Sequence, residues 1–316
     1  MERAMKLGLL AKYILVIVLM AVVLLPFFVM VLDSFKPYKE LLSGRVTFLP
    51  GQPTLRAYRT VLIAEGAYGH PLSFLRYLGK KVAISLHFMP TERSKGIRDF
   101  PQYFINSLVT SLGASALAVA VASLAGYGMA RYRFTGRNVL ARSMLFIYVF
   151  PTMLLVVPIY KMFARIDVGG WSLLDSHYGL MIIYAAIAAP FLTWLLQSFF
   201  ESIPREIEEA AEVDGAGGGS RFLRITLPLA APGLITAAIY GFVTAWGEYL
   251  FAAILISSGD NKTGPVGLTS IVGTGPATEW ENLLAGGVVI TLPVILFFFP
   301  IARYFVRGFM AGAIKE

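Results

Sequence analysis

The chain has 316 residues, of which 57% are hydrophobic and only 15% charged, and a formal net charge of +8. Soluble globular domains carry about 25% charged residues, so this composition excludes one and places the chain among integral membrane proteins. The basic excess is read as loop charge rather than as a nucleic-acid footprint, and the absence of cysteine excludes disulfides, thiolate metal sites and cysteine nucleophiles.

In chain order, residues 1–12 form a basic N-terminus ahead of an apolar run, Tyr13–Leu32. That run is longer than the roughly 7–15 residues of a signal-peptide core, and no small-x-small cleavage site follows it. It is expected to remain as a first membrane helix. A long extracytoplasmic loop, Asp33–Gln102, comes next, with turn signals at "LPGQP" and "AYGHP". Between them "TLRAYRTVLIAEG" is a candidate short helix. Beyond them "FLRYLGKKVAISLHF" mixes aromatics with cations in the manner of an interfacial segment. Five further stretches approach the ~20 apolar residues that a bilayer crossing needs: Ser107–Ala130, Met144–Tyr160, Tyr178–Phe200, Leu229–Ile256 and Leu283–Ala302. The expected fold is therefore an all-α integral membrane protein with six transmembrane helices. Its core lies over 107–302, with a cytoplasmic loop at 201–228 and a tail at 303–316.

Orientation follows from lysine and arginine in the short loops. With the N-terminus inside, the cytoplasmic segments hold thirteen of them and the short outer loops three, Lys161, Arg165 and Lys262. The other eleven lie in the Asp33–Gln102 loop, which is too long to count. Both termini are expected in the cytoplasm, and so is the stretch between the fourth and fifth spans.

That stretch, "REIEEAAEVDGAGGGSRFLRITLP" (205–228), is the most polar part of the second half of the chain. It lacks the lysine and the preceding strand of a phosphate-binding loop. Glu208, Glu209 and Glu212 are conceivable carboxylate ligands, but a solvated acidic face explains them more simply. His70, His87 and His177 show no ligand spacing, and no metal site is expected. Ser202 is read as the cap of a short helix that Pro204 begins, with the early glutamates complementing its dipole and Gly215 ending it in a left-handed turn. Ser220 is read as the cap of a second helix that Pro228 ends. Ala210, Ala211, Val213 and Ala216 give the first helix a small apolar side suited to a partner's groove.

The stretch resembles the EAA motif of bacterial ABC-importer permeases: E-A-A, three residues, G, nine residues, I-x-L-P. Glu209, Ala210, Ala211, Gly215, Ile225, Leu227 and Pro228 match it, with Asp214 beside the glycine. "DSFKP", "YFINSLVTSLGAS", "PTMLLVVPIYKMF", "GEYLFAAIL", "PVGL" and "FVRGFMAGAIKE" are similar to the carbohydrate-importer branch, and in particular to its six-span, maltose-type permease. The chain departs from that pattern in its longer stretch at 65–99 and at Gly247, where the family often has asparagine. The resemblance implies a sugar-importing permease subunit of a bacterial or archaeal plasma membrane, with no enzymatic activity and no cofactor of its own. Its coupling helix would dock on an ATPase pair that holds ATP and magnesium. A second permease chain and an extracytoplasmic substrate-binding protein would complete the assembly. The tail at Gly312–Glu316 is similar to a family tail that reaches the ATPase dimer.

Glu248 is the only carboxylate inside an expected span, a default mark of function. With Tyr240, Trp246 and Tyr249 it is a candidate lining of the translocation path, since aromatic rings stack on sugar faces; helix packing by the same aromatics, with Glu248 paired to a partner's cation, is the competing reading. In the last outer loop Asp260, Asn261, Lys262 and Pro265 are candidate binding-protein contacts, against a plain connector. Maltose or trehalose is the expected substrate class, with glycerol 3-phosphate or a monosaccharide as alternatives. An ion-coupled secondary transporter is the rival mechanism; it would need more intramembrane ionisable groups or paired broken helices.

Overall fold

A computed structural model describes residues 2–44, 47–63, 99–168, 171–269 and 280–313. The aromatic-cationic stretch at 74–88, His70 and His87, most of the 65–99 insertion and residues 314–316 lie outside the described residues. The chain divides into two compact units: Met1–Phe88, Lys95–Pro101 and Gly267–Leu292 in one, and Met89–Ser94, Gln102–Val266 and Pro293–Glu316 in the other.

In the first unit, α1 (Glu2–Asp33) contains the expected first span, and its residues from Tyr13 to Phe28 are exposed along their length. At its C-terminal end the DSFKP sequence folds into a tight knot. The buried Lys36 ammonium pairs with Asp33 at 2.6 Å and donates to the Thr47 carbonyl. The Ser34 hydroxyl donates to the Val31 carbonyl and shares a 2.7 Å hydrogen bond with the Tyr58 hydroxyl. A short helix, α2 (Tyr38–Leu41), follows the knot. Tyr58 belongs to α3 (Arg56–Ile63), the short helix expected after the first turn signal.

The second unit is built on α4 (Phe100–Arg131), whose first two residues belong to the first unit. Small residues recur on one face of α4 every four positions, at Ala114, Ala118, Ala122, Gly126 and Ala130. Such a face lets two membrane helices approach closely. A Cβ on Gly126 would stand 3.0 Å from the Gln197 amide nitrogen and 3.1 Å from the Thr193 carbonyl oxygen. The expected third span is not one helix. It divides into α5 (Arg137–Val149), a 3₁₀ turn (Thr152–Leu155) and α6 (Val156–Phe163). Pro151 is the cause: it carries no N–H to continue the ladder, and it holds Phe150 extended at φ −66°, ψ 133°. A minimal hairpin, β1 (Asp167–Val168) with β2 (Trp171–Ser172), follows.

The fourth span is met by α7 (His177–Ser202), capped by Ser176, whose hydroxyl accepts the Tyr178 amide at 3.2 Å. A short helix, α8 (Arg205–Val213), comes next. The fifth span is again not continuous. The chain approaches it through α9 (Gly218–Arg221), a π turn (Phe222–Thr226) and α10 (Leu227–Leu229), then bends by 79° into α11 (Ala231–Trp246), which carries most of Leu229–Ile256. Pro228 and Pro232 flank the bend, each in the first turn of its helix, where a missing N–H breaks no ladder bond. A second break at Gly247–Tyr249 precedes α12 (Leu250–Leu255). A 3₁₀ turn (Gly259–Asn261) and α13 (Gly264–Thr269) follow, and α14 (Trp280–Ala313) holds the sixth expected span. Among the described residues four helices are long and apolar enough to cross a membrane, or five with the bent pair.

Within the second unit two apolar clusters form the core. One joins α4, α7 and the π turn through Ala118, Ala122, Leu192, Leu196, Phe200 and Phe222. The other joins α6, α7 and α12 through Phe163, Leu180, Ile183, Phe251 and Leu255.

Candidate functional site

The EAA stretch folds as a helix, a glycine turn and a second helix, with different caps from those the sequence suggests. Ser202 closes α7 rather than opening α8, and its hydroxyl donates back to the Phe199 carbonyl at 2.7 Å. Ile203 and Pro204 are extended, and they separate Ser202 from α8, for which Pro204 is the N-cap. With no side-chain cap there, Glu206 and Glu208 in the first turn carry the charge that complements the helix dipole. Ser220 lies within α9 instead of capping it, and Pro228 sits in the first turn of α10, where a missing N–H costs little.

The C-terminus of α8 matches its expectation. Gly215 adopts φ +88°, its amide donates to the Glu212 carbonyl at 3.0 Å, and the Ala216 amide donates to the Ala211 carbonyl at 2.9 Å. These are the two bonds of a Schellman turn, which needs a left-handed residue at the first position past the cap.

The acids of α8 do not converge. Glu212 pairs with Arg221. Glu209 is exposed, alongside Ile207, Ala210, Val213, Asp214 and Gly215; Val213 is 88% exposed. Ala211 and Ala216 are half-buried, as are Ile225 and Leu227, whereas Pro228 is exposed. Glu208 turns the other way and is buried. Its carboxylate accepts the Tyr127 hydroxyl at 2.8 Å and the Arg131 Nε at 2.7 Å, both from the end of α4. Burial alone would raise its pKa, but the hydrogen bonds from Tyr127, Arg131 and Thr226, with the Arg131 charge, hold it below the ordinary carboxylate value. Arg131 also donates to the Ile203 carbonyl at 3.0 Å, and Arg205 donates to the Ala130 carbonyl at 3.0 Å. The Tyr127 ring lies 4.8 Å from Phe222 and 5.8 Å from Phe200. One face of α8 is thus bonded to α4, and the other is exposed, with Ile207, Ala210 and Val213 set beside Glu206 and Glu209.

The four residues considered for a path lie around the second break. Trp246 is buried, stacked on Phe242 at 5.4 Å and edge-on to Phe104 at 5.4 Å. Tyr240 is half-buried, 4.4 Å from Phe191, and Tyr249 is exposed. Glu248 is half-buried; its two oxygens accept the Phe251 and Ala252 amides at 3.0 and 3.3 Å and so cap α12 across the break.

The loop between α12 and α13 is clamped through its backbone. Asn106 of α4 donates to the Asp260 and Lys262 carbonyls at 2.6 and 2.9 Å. Ser107 accepts the Gly264 amide at 2.8 Å, and the His177 Nε2 donates to the Asn261 carbonyl at 3.0 Å. Asp175, left-handed at φ +53°, accepts the Ser257 and Ser258 amides at 3.1 and 2.9 Å and the Ser258 hydroxyl. Asn261 donates to the Asp175 carbonyl at 2.8 Å. Asp260, Asn261, Lys262 and Pro265 are all half-buried on this frame. Sequence reasoning passed over Tyr127, Arg131, Thr226, Asn106 and Asp175, because their partners lie far along the chain. A polar residue inside or ending an apolar run was the available signal.

The family model described as "Binding-protein-dependent transport system inner membrane component" matches residues 118–310. The inner membrane ABC transporter permease protein YcjP of Escherichia coli is 35% identical over 93% of this chain and 92% of its own length. The trehalose transport system permease protein SugB of Mycobacterium tuberculosis is 36% identical over 68% of this chain and 77% of its own. In fold, the chain is similar to a chain in the crystal structure of a bacterial ABC transporter involved in the import of the acidic polysaccharide alginate. The TM-score is 0.71 at 20% identity, over 95% of this chain and 97% of that one. The chain belongs to the family of binding-protein-dependent ABC transporter permeases of the inner membrane.

Proposed function

We propose that this chain is the permease subunit of an ATP-driven importer for a disaccharide or short oligosaccharide of the maltose and trehalose type. In this reading both termini and α8 face the cytoplasm, as the thirteen-to-three distribution of basic residues favours. α8 docks on an ATPase subunit through Glu209, Ala210, Val213 and the Gly215 turn. Closure of the ATPase pair displaces α8 and rocks the spans between inward and outward access, biasing a two-state element. A second permease chain completes the pathway, and a binding protein delivers the sugar to the outer loop around Asp260–Pro265. This chain contributes mechanical transmission, while ATP and magnesium reside on the partner.

The observation that carries the reading is the two-sided character of α8: bonded inward through Glu208, and outward exposed, with Ile207, Ala210 and Val213 beside Glu209. The substrate class rests on the trehalose relative. The test is uptake into proteoliposomes containing the permease pair, the ATPase and the binding protein, with labelled trehalose, maltose, glucose and glycerol 3-phosphate offered in turn. Disaccharide uptake is expected, and its loss in Glu209→Lys with membrane insertion intact. Uptake at the wild-type rate in that variant would refute the docking assignment. Transport of glucose or glycerol 3-phosphate alone would move the substrate class.

A further inference from the structure

Two glutamates adjacent in sequence are about 100° apart around a helix, so Glu208 and Glu209 can turn to different surroundings. Glu209 is exposed, and Glu208 is 7% exposed. The groups that meet the Glu208 carboxylate come from another element. Tyr127 and Arg131 lie 81 and 77 residues before it, on α4. Phe222, in the π turn that leads through α10 to the 79° bend, lies 4.8 Å from the Tyr127 ring. Arg131 also donates to the carbonyl of Ile203, in the extended pair between α7 and α8. Glu208 therefore ties α8 directly to α4, and its partners Tyr127 and Arg131 extend the joint to Phe222 of the π turn and to the Ile203 carbonyl.

Apolar packing alone could hold α8 here, since Phe200 and Phe222 already fill the space around Tyr127. A buried ion pair adds little net stability over apolar residues of the same volume, because desolvation offsets its attraction. What it adds is direction: two bonds of 2.7 and 2.8 Å fix both the rotation and the axial position of α8. An apolar joint can slide, and a bonded one moves as a unit.

We propose that Glu208 is the positioning residue through which displacement of α8 is carried into α4 and the bent helix pair, a role separate from docking. The proposal rests on the reading that α8 docks on an ATPase. Glu208→Gln keeps the side-chain shape and removes the charge, and Tyr127→Phe removes one bond without touching the ion pair. Both are assembled with the ATPase and binding protein in proteoliposomes, and three quantities are read: ATPase retained on the permease, ATP hydrolysed, and sugar moved per ATP. The expected result for Glu208→Gln is wild-type ATPase retention with sugar moved per ATP reduced about tenfold. Tyr127→Phe is expected to give a smaller loss in the same ratio. The charge swap Arg131→Glu with Glu208→Arg is expected to restore part of the ratio that Arg131→Glu alone loses. An unchanged ratio in Glu208→Gln would overturn the proposal. So would a parallel loss of ATPase retention and transport, which would mark Glu208 as a structural support of the docking face. Failure of the wild-type permease to retain the ATPase would overturn the docking reading itself.

Discussion

Replacing Gly215 by Asn, Ala and Pro in turn separates backbone geometry from contact at the α8 turn. The glycine stands at φ +88°, and nothing lies within 4 Å of where a Cβ would be. Within this chain a side chain there meets only the strain of the left-handed conformation. For an L-residue that strain is about 1–2 kcal/mol, least for asparagine. Taking alanine at about 1 kcal/mol, any equilibrium that needs the turn shifts roughly fivefold. Proline cannot reach a positive φ, and it also removes the amide that bonds Glu212 at 3.0 Å. The assay is titration of the detergent-solubilised permease with purified ATPase, giving an apparent affinity for each variant. The expected order is Gly, Asn, Ala, Pro, with alanine about fivefold weaker than glycine. An alanine variant that binds as well as the asparagine variant would refute the argument from φ. Asparagine as damaging as proline would show that bulk against the partner, not backbone conformation, sets the requirement.

Two further outcomes are expected. Gly126→Ala should lower the thermal midpoint of the solubilised protein, because its Cβ would press on the Gln197 and Thr193 backbone, at a cost of roughly 1–3 kcal/mol; Gly128→Ala, with open space around it, should not. Asp175→Ala should speed hydrogen exchange at the Ser257 and Ser258 amides by an order of magnitude or more, since each loses its acceptor, whereas Asp175→Asn keeps one acceptor oxygen and the left-handed preference.

The parts of this fold written in short range were legible. Hydropathy located the long helices, and the spacing from Glu209 to Gly215 located the turn, because a left-handed cap one residue past a helix end is a local event. The broken segments were less so. Prolines 151 and 228 were visible, but whether a proline kinks a helix, ends it or opens its first turn depends on the next residues' hydrogen bonds, which a hydropathy window does not register. Ser202 shows the same limit: a good capping residue was drawn into the preceding helix because two extended residues follow it. Glu208 was read with its neighbours as one solvated face. Its inward role depends on Tyr127 and Arg131, roughly eighty residues away, and Arg131 had been counted only as loop charge.

The break at Gly247–Tyr249 has a use for design. Bilayer interiors tolerate a corner in a helix only if the freed amides find acceptors, and most corners borrow those from neighbouring helices. Here the chain brings its own: Glu248 folds forward onto the amides three and four residues ahead. A corner whose acceptor lies within five consecutive residues can be moved as a cassette, without redesigning the helices around it. Grafting Gly247–Ala252 into a straight membrane helix, beside a copy with glutamine at position 248, would measure how much of the bend travels with the carboxylate.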